Sequence, residues 1–123
     1  RQAMAGSSLT IRGDGAQVRD FIYASDVAQI IRELLIGYIP GDPAVVRLIG
    51  SEEVSINHLA DMINQAFEGT LAREHVGPPE KTRRERDFSY AFRTSTPLAE
   101  GLAATINWFR NSAKALDKTM AKP

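Results

Sequence analysis

A glycine-rich turn separates two segments of β-forming residues near the start of the chain. Residues 9–11 and 18–23 are rich in β-branched and aromatic side chains, and Gly13-Asp14-Gly15 lies between them. Glycine reaches the positive φ angles of a tight reversal without steric cost. The sequence therefore predicts two short strands joined by a tight turn, and a helical pattern begins directly after the second strand.

Three amphipathic helices are predicted from apolar residues that recur every three or four positions, in residues 27–35, 56–67 and 98–109. Each segment is flanked by residues typical of helix ends, including an aspartate and a glutamine that fit a capping box before the first. In chain order these residues are Asp26 and Gln29, Gly37, Ser55, Gly69, Thr96 and Pro97. From residue 111 onward the apolar content falls, so we expect the tail 111–123 to fray.

The rest of the chain predicts short strands and loops. Residues 45–49 and 71–76 have strand character, whereas the proline- and glycine-containing stretches 40–43 and 77–79 interrupt regular structure. We expect one domain over residues 1–123, of α/β or α+β class, with three main helices packed on a small sheet.

The composition excludes several classes of function. Fifteen basic and fifteen acidic side chains cancel, so no overall field attracts the chain to nucleic acid or to an anionic membrane. The absence of cysteine excludes disulfides, thiolate metal sites and thiol nucleophiles, and suits a reducing compartment. No apolar run approaches the roughly 20 residues of a membrane helix, and no signal peptide is recognisable. We therefore expect a cytoplasmic protein.

Residues 13–28, with the sequence GDGAQVRDFIYASDVA, resemble the signature of the extended short-chain dehydrogenase/reductases that act as NAD-dependent nucleotide-sugar epimerases and dehydratases. Two further blocks follow in the order of that family. They are LIGS at 48–51 with VSINHLADMI at 54–63, and GLAATINWF at 101–109. The resemblance implies the C-terminal, substrate-binding part of the family's fold.

Arg19 is the first residue to which the resemblance gives a role, that of binding the substrate's diphosphate. A guanidinium suits this role because its planar fork donates two parallel hydrogen bonds and remains charged. Without the surrounding signature, a lone arginine on a strand is ordinarily a solvated edge charge.

Residues 80–87, EKTRRERD, resemble the family segment that supplies a second phosphate-binding arginine and an acid for the ribose hydroxyls. Arg84 and Asp87 are the best matches, and with Arg19 they make up the expected substrate site. Relatives in this register carry glycine where this chain has Arg86, which could crowd the site. The other interpretation of the segment is a solvated loop of mixed charge.

A second register of this segment stays open. It matches residues 87–91, DFSYA, to the family's next motif and moves the ribose-binding acid back toward Glu80. The stretch between residues 91 and 96 is also shorter than the family pattern, so the resemblance does not extend to one wall of the sugar or uridine pocket.

The chain carries no recognisable catalytic machinery. None of its nine glycines has dinucleotide-binding spacing. The family's catalytic tyrosine and lysine lie four residues apart, and no tyrosine here has a lysine at that distance. Since the family places its dinucleotide-binding domain before the signature, the resemblance implies that NAD belongs to the full-length enzyme rather than to this chain. His58 and His75 lack metal-ligand spacing, so we expect no metal site.

Three interpretations remain. The first is the nucleotide-sugar-binding portion of an epimerase or dehydratase, truncated and catalytically incompetent alone, whose partner would be a nucleoside diphosphate sugar. The second is a non-catalytic module in which the surface normally covered by the missing Rossmann domain mediates homo-oligomerisation. The third is an unrelated helical domain with a chance match, which a structure without strand, turn and strand before the first helix would favour.

Overall fold

The computed structural model describes residues 1–37, 46–79 and 91–120, with the side chains of the last helix described through residue 112. Within these ranges, a 3₁₀ turn at Ala3–Ala5 is followed by six strands and three helices. In chain order they are β1 (Leu9–Arg12), β2 (Val18–Asp20), α1 (Ala24–Gly37), β3 (Arg47–Ile49), β4 (Glu53–Ser55), α2 (Ile56–Ala66), β5 (Arg73–Val76), β6 (Ala91–Arg93) and α3 (Leu98–Met120). The expected class, three helices packed on small sheets, is confirmed.

The strands form three two-stranded sheets within the described ranges. β1 pairs in parallel with β5, with Leu9 opposite Arg73. β2 pairs antiparallel with β4, and β3 pairs in parallel with β6. The sequence does not predict β4 and β6, because neither segment contains a run of β-branched and aromatic residues like those of 9–11 and 18–23.

The turn between β1 and β2 forms as predicted, with positive φ at Gly13 and Gly15 (73° and 70°). The two strands it joins do not pair with each other, since each is paired to a strand much later in the chain. Gln17 lies between the two strands. Its side-chain amide donates to the Arg12 carbonyl, and its backbone carbonyl accepts the Ile56 N–H. These contacts direct β2 toward β4 at the start of α2.

The main core lies between β1 and α2. Leu9 and Ile11 alternate inward from β1 and are buried with Ala60 and Leu71. Partly buried side chains surround this cluster: Ala3, Ile56, Ile63 and Phe67. Burial of each large aliphatic side chain contributes about 1.5–3 kcal/mol, so the β1–α2 contact is a main source of stability.

The predicted ends of α2 are confirmed. The Ser55 hydroxyl accepts the His58 N–H at 3.1 Å, which satisfies a free donor of the first turn. At the other end, Gly69 (φ 71°) donates its N–H to the Asn64 carbonyl at 2.8 Å.

The predicted N-terminal caps of α1 and α3 are wrong, although both helices form and α1 ends at Gly37 as expected. Asp26 lies inside the first turn of α1, and Gln29 donates to Glu33 instead of closing a capping box. The Asp26 carboxylate instead accepts the hydroxyl (2.7 Å) and the N–H (3.2 Å) of Thr96. The first N–H of α3, on Leu98, donates to the Glu52 carboxylate at 3.2 Å. At the start of α3, a side chain distant in sequence therefore takes the role of a local cap.

Candidate functional site

Arg19 lies in the middle of β2, opposite Val54 of β4, and is half-buried. Its Nη1 donates to the Val18 carbonyl at 2.9 Å. Arg19 therefore lies on the predicted strand, and its guanidinium is held close to the backbone of that strand.

The next residue, Asp20, ties this strand to another part of the chain. Its two carboxylate oxygens lie 2.8 and 2.9 Å from the Gly50 nitrogen and accept its N–H. Gly50 follows β3 directly, and an added Cβ there would lie 2.1 Å from Asp20 Oδ1 and 2.6 Å from the Phe21 carbonyl oxygen. Only glycine allows this approach, so the strand carrying Arg19 is fixed against the turn after β3.

The same turn is held from the side of β6. Thr94 donates both its N–H (2.7 Å) and its hydroxyl (3.1 Å) to the Ile49 carbonyl. Arg93 Nη1 makes a longer contact, 3.4 Å, with the Gly50 carbonyl. Contacts to both β2 and β6 thus fix the position of Gly50.

A polar cavity of about 200 Å³ lies beside this turn. Arg47 and Arg93 line it together with Glu52 and Glu53. Two cations and two anions balance, so the cavity offers no net charge to attract a phosphate.

An apolar cleft of about 270 Å³ begins two residues beyond Arg19. Phe21 and Tyr23 line it from the β2–α1 connection, and aliphatic side chains of α2 and α3 complete it. The Tyr23 side chain packs so closely on α3 that a Cβ at Gly101 would lie 3.1 Å from the tyrosine Cβ. The segment after β2 therefore contributes to an apolar surface, and Arg19 itself is not among the residues that line it.

Two of the three predicted site residues, Arg84 and Asp87, lie outside the described residues, together with the alternative acid Glu80. Their roles and the register of their segment stay predictions. His58 is exposed on α2, and His75 on β5 lies 3.1 Å from Asn57 Oδ1. Among the described residues, no group of three histidine, cysteine, aspartate or glutamate side chains could hold a metal ion.

The described helix N-termini do not fit the pyrophosphate of NAD. Such a site needs free backbone N–H groups at a helix start after a glycine-rich turn. The start of α2 is capped by Ser55, and the start of α3 is occupied by the Glu52 carboxylate, whose charge would repel a phosphate. In α1, Asp26 lies in the first turn. In the part of the chain that the structure describes, no helix start resembles a dinucleotide site.

Sequence reasoning missed Asp20 and Gly50. Strand alternation predicts that Arg19 and Asp20 face opposite sides, and a carboxylate directed away from solvent requires a donor. A glycine directly after a strand provides an N–H that a side chain can approach closely. These signals indicate that each residue has a close neighbour, but only the fold shows that they contact each other.

The comparison with family models matches residues 1–38 to the NAD dependent epimerase/dehydratase family. The matched region contains β1, the glycine turn, β2 with Arg19, and α1. Within the described helices, none combines the length and apolar character required to cross a membrane.

The chain is similar to several curated enzymes along nearly its whole length. It is 32% identical to dTDP-4-dehydro-6-deoxy-D-allose reductase of Streptomyces bikiniensis, covering 92% of this chain and 36% of that protein. It is 27% identical to dTDP-D-glucose 4,6-dehydratase of Mus musculus, covering 92% and 37%. The chain therefore spans about a third of the length of these relatives.

The fold also matches a solved structure, the GDP-6-OMe-4-keto-L-xylo-heptose reductase from C. jejuni. The TM-score is 0.67 at 18% sequence identity, over 86% of this chain and 34% of the other. The chain therefore shares its architecture with about a third of that larger structure.

Proposed function

Because this chain belongs to the NAD-dependent epimerase/dehydratase family, we propose that it is the nucleotide-sugar-binding portion of such an enzyme. The observation that carries the proposal is the placement of Arg19: it lies within the segment matched to the family, on a strand fixed at its end by Asp20. A guanidinium on an anchored strand can present two parallel donors to a diphosphate.

The proposed ligand class is a nucleoside diphosphate sugar. The relatives named above act on dTDP-linked sugars, and the solved neighbour acts on a GDP-linked heptose. The feature common to these compounds is the diphosphate, which is the group that Arg19 would bind. Arg84 and Asp87 would complete the site, the first at the diphosphate and the second at the ribose hydroxyls.

We further propose that this chain alone does not catalyse a reaction. Its tyrosines lack the lysine partner of the family's catalytic pair, and its described helix starts do not suit a dinucleotide. The chain would bind a nucleoside diphosphate sugar without binding NAD.

Calorimetric titration of the chain with UDP, dTDP, UDP-glucose and NAD tests this function. We expect binding of the nucleoside diphosphates and no heat from NAD. Arg19→Ala should abolish measurable binding because it removes the proposed donor fork. Arg12→Ala is the matched control, since Arg12 is an exposed arginine at the end of β1 and lies outside the proposed site. Unchanged affinity in Arg19→Ala would reject the function.

A second candidate function is self-association, and the exposed face of α1 favours it. Three large aliphatic side chains on this helix, Ile31, Leu35 and Ile36, are 50%, 76% and 73% exposed. We refer to them as the α1 patch. Exposed apolar surface of this kind is typical of interfaces, and a second copy of the chain offers the same surface in return.

A further inference from the structure

We propose that Asp20 is a positioning residue for the nucleoside diphosphate site, acting through Arg19. The inference rests on the function proposed above and assigns a role to a side chain that need not touch the ligand. By accepting the Gly50 N–H, Asp20 would fix the end of β2 and with it the direction from which the Arg19 guanidinium meets the diphosphate.

The strand that carries Arg19 is short. β2 has three residues, and its ladder with β4 joins three residue pairs. Arg19 is the middle residue and Asp20 the last, so loss of the terminal pair would make Arg19 the last paired residue of the strand. Strand ends that lack buried contacts open easily. A long-range anchor at Asp20 opposes this opening.

The hydrogen bond between the Asp20 carboxylate and the Gly50 N–H is a strong, long-range anchor. Hydrogen bonds to a charged acceptor are roughly twice as strong as neutral ones. The bond joins residues 30 positions apart and therefore closes a large loop rather than a local turn. Gly50 in turn is held by the contacts of Arg93 and Thr94 around it, so the anchor point is itself fixed.

Although Asp20 lies next to Arg19, its carboxylate would not compete with the diphosphate for the guanidinium. Neighbouring residues of a strand project to opposite faces. The Asp20 carboxylate is directed to the Gly50 N–H. A diphosphate on the face of Arg19 would meet the guanidinium without meeting the carboxylate first.

The test measures UDP affinity by calorimetry for Asp20→Asn in two backgrounds, the native Arg19 and Arg19→Lys. Asparagine retains the shape of aspartate but loses the charge and one acceptor oxygen. With Arg19 present we expect at least about a 10-fold loss of affinity, because a bidentate fork depends on orientation. With lysine, a point charge on a flexible stem, the same change should weaken binding by less than about threefold.

Glu52→Gln is the matched control. Glu52 also accepts a long-range backbone N–H, from Leu98, and lies two residues from Gly50, but it is not on the strand of Arg19. This change should lower the melting temperature and leave UDP affinity within about twofold of the native value. Amide hydrogen exchange gives a measurement without ligand: Gly50 should exchange faster in Asp20→Asn.

Each outcome decides the proposal. Native affinity in Asp20→Asn, an equal loss in both backgrounds, or unchanged exchange at Gly50 would overturn the positioning role while leaving the proposed function standing. If the unmodified chain does not bind UDP, the proposed function fails, and the positioning role fails with it.

Discussion

At the scale of single residues, the glycine turn before β2 shows how one missing Cβ fixes a non-local contact. An added Cβ at Gly15 would lie 2.1 Å from Asn57 Oδ1. Asn57 cannot move away freely, because its side-chain amide donates to the Asp14 carbonyl and its N–H donates to the Gly15 carbonyl. The turn and the first turn of α2 thus form one hydrogen-bonded unit.

Gly15→Ala should therefore destabilise the chain more than Gly6→Ala. Both glycines have positive φ, 70° and 66°, but an added Cβ at Gly6 has no neighbour within 4 Å. Gly6→Ala should lower the free energy of unfolding by about 1 kcal/mol, from backbone strain alone. Gly15→Ala should lower it by about 2–3 kcal/mol, since the clash adds to the strain. Urea denaturation measures both, and equal losses would show that the Asn57 contact is unimportant.

At the scale of elements, the helices were predictable and the strand pairings were not. Apolar periodicity over nine or more residues identified all three helices, and local chemistry identified Ser55 and Gly69 as the ends of α2. The partner of β1 is β5, about 60 residues later, and pairing at such separation leaves no local pattern. The candidate site follows the same division: Arg19 was recognisable from its signature, whereas its anchor at Gly50 depends on tertiary structure.

The start of α3 provides a test at this scale. Asp26 in α1 accepts two hydrogen bonds from Thr96, just before α3 begins. Thr96→Val removes the hydroxyl donor and should lower the free energy of unfolding by about 1–2 kcal/mol, because the acceptor is a partly buried carboxylate.

Thr70→Val is the matched control, since the Thr70 hydroxyl bonds only to the nearby Phe67 carbonyl and is exposed. It should lower the free energy by about 0.5 kcal/mol or less. Similar losses in the two variants would contradict the proposed link between α1 and α3.

At the scale of the whole molecule, the α1 patch sets an upper limit on the strength of any self-association. A helix of 14 residues is about 21 Å long and about 10 Å wide. One face of it buries much less than the roughly 800 Å² per partner that stable complexes use. We therefore expect a dimer that forms reversibly with a Kd in the micromolar range or weaker.

Leu35→Glu should abolish this dimer without unfolding the chain. Leu35 is the most exposed member of the α1 patch, so its replacement should change the free energy of unfolding by no more than about 0.5 kcal/mol. In a dimer interface, the glutamate would place a desolvated charge against the partner's apolar side chains.

Trp108→Lys serves as the control, because Trp108 is also a large exposed apolar residue but lies on α3. Sedimentation equilibrium across a concentration series should show dimer for the native chain and for Trp108→Lys, and monomer for Leu35→Glu. A native chain that stays monomeric at millimolar concentration would reject self-association, and a dimer that survives Leu35→Glu would place the interface elsewhere than on α1.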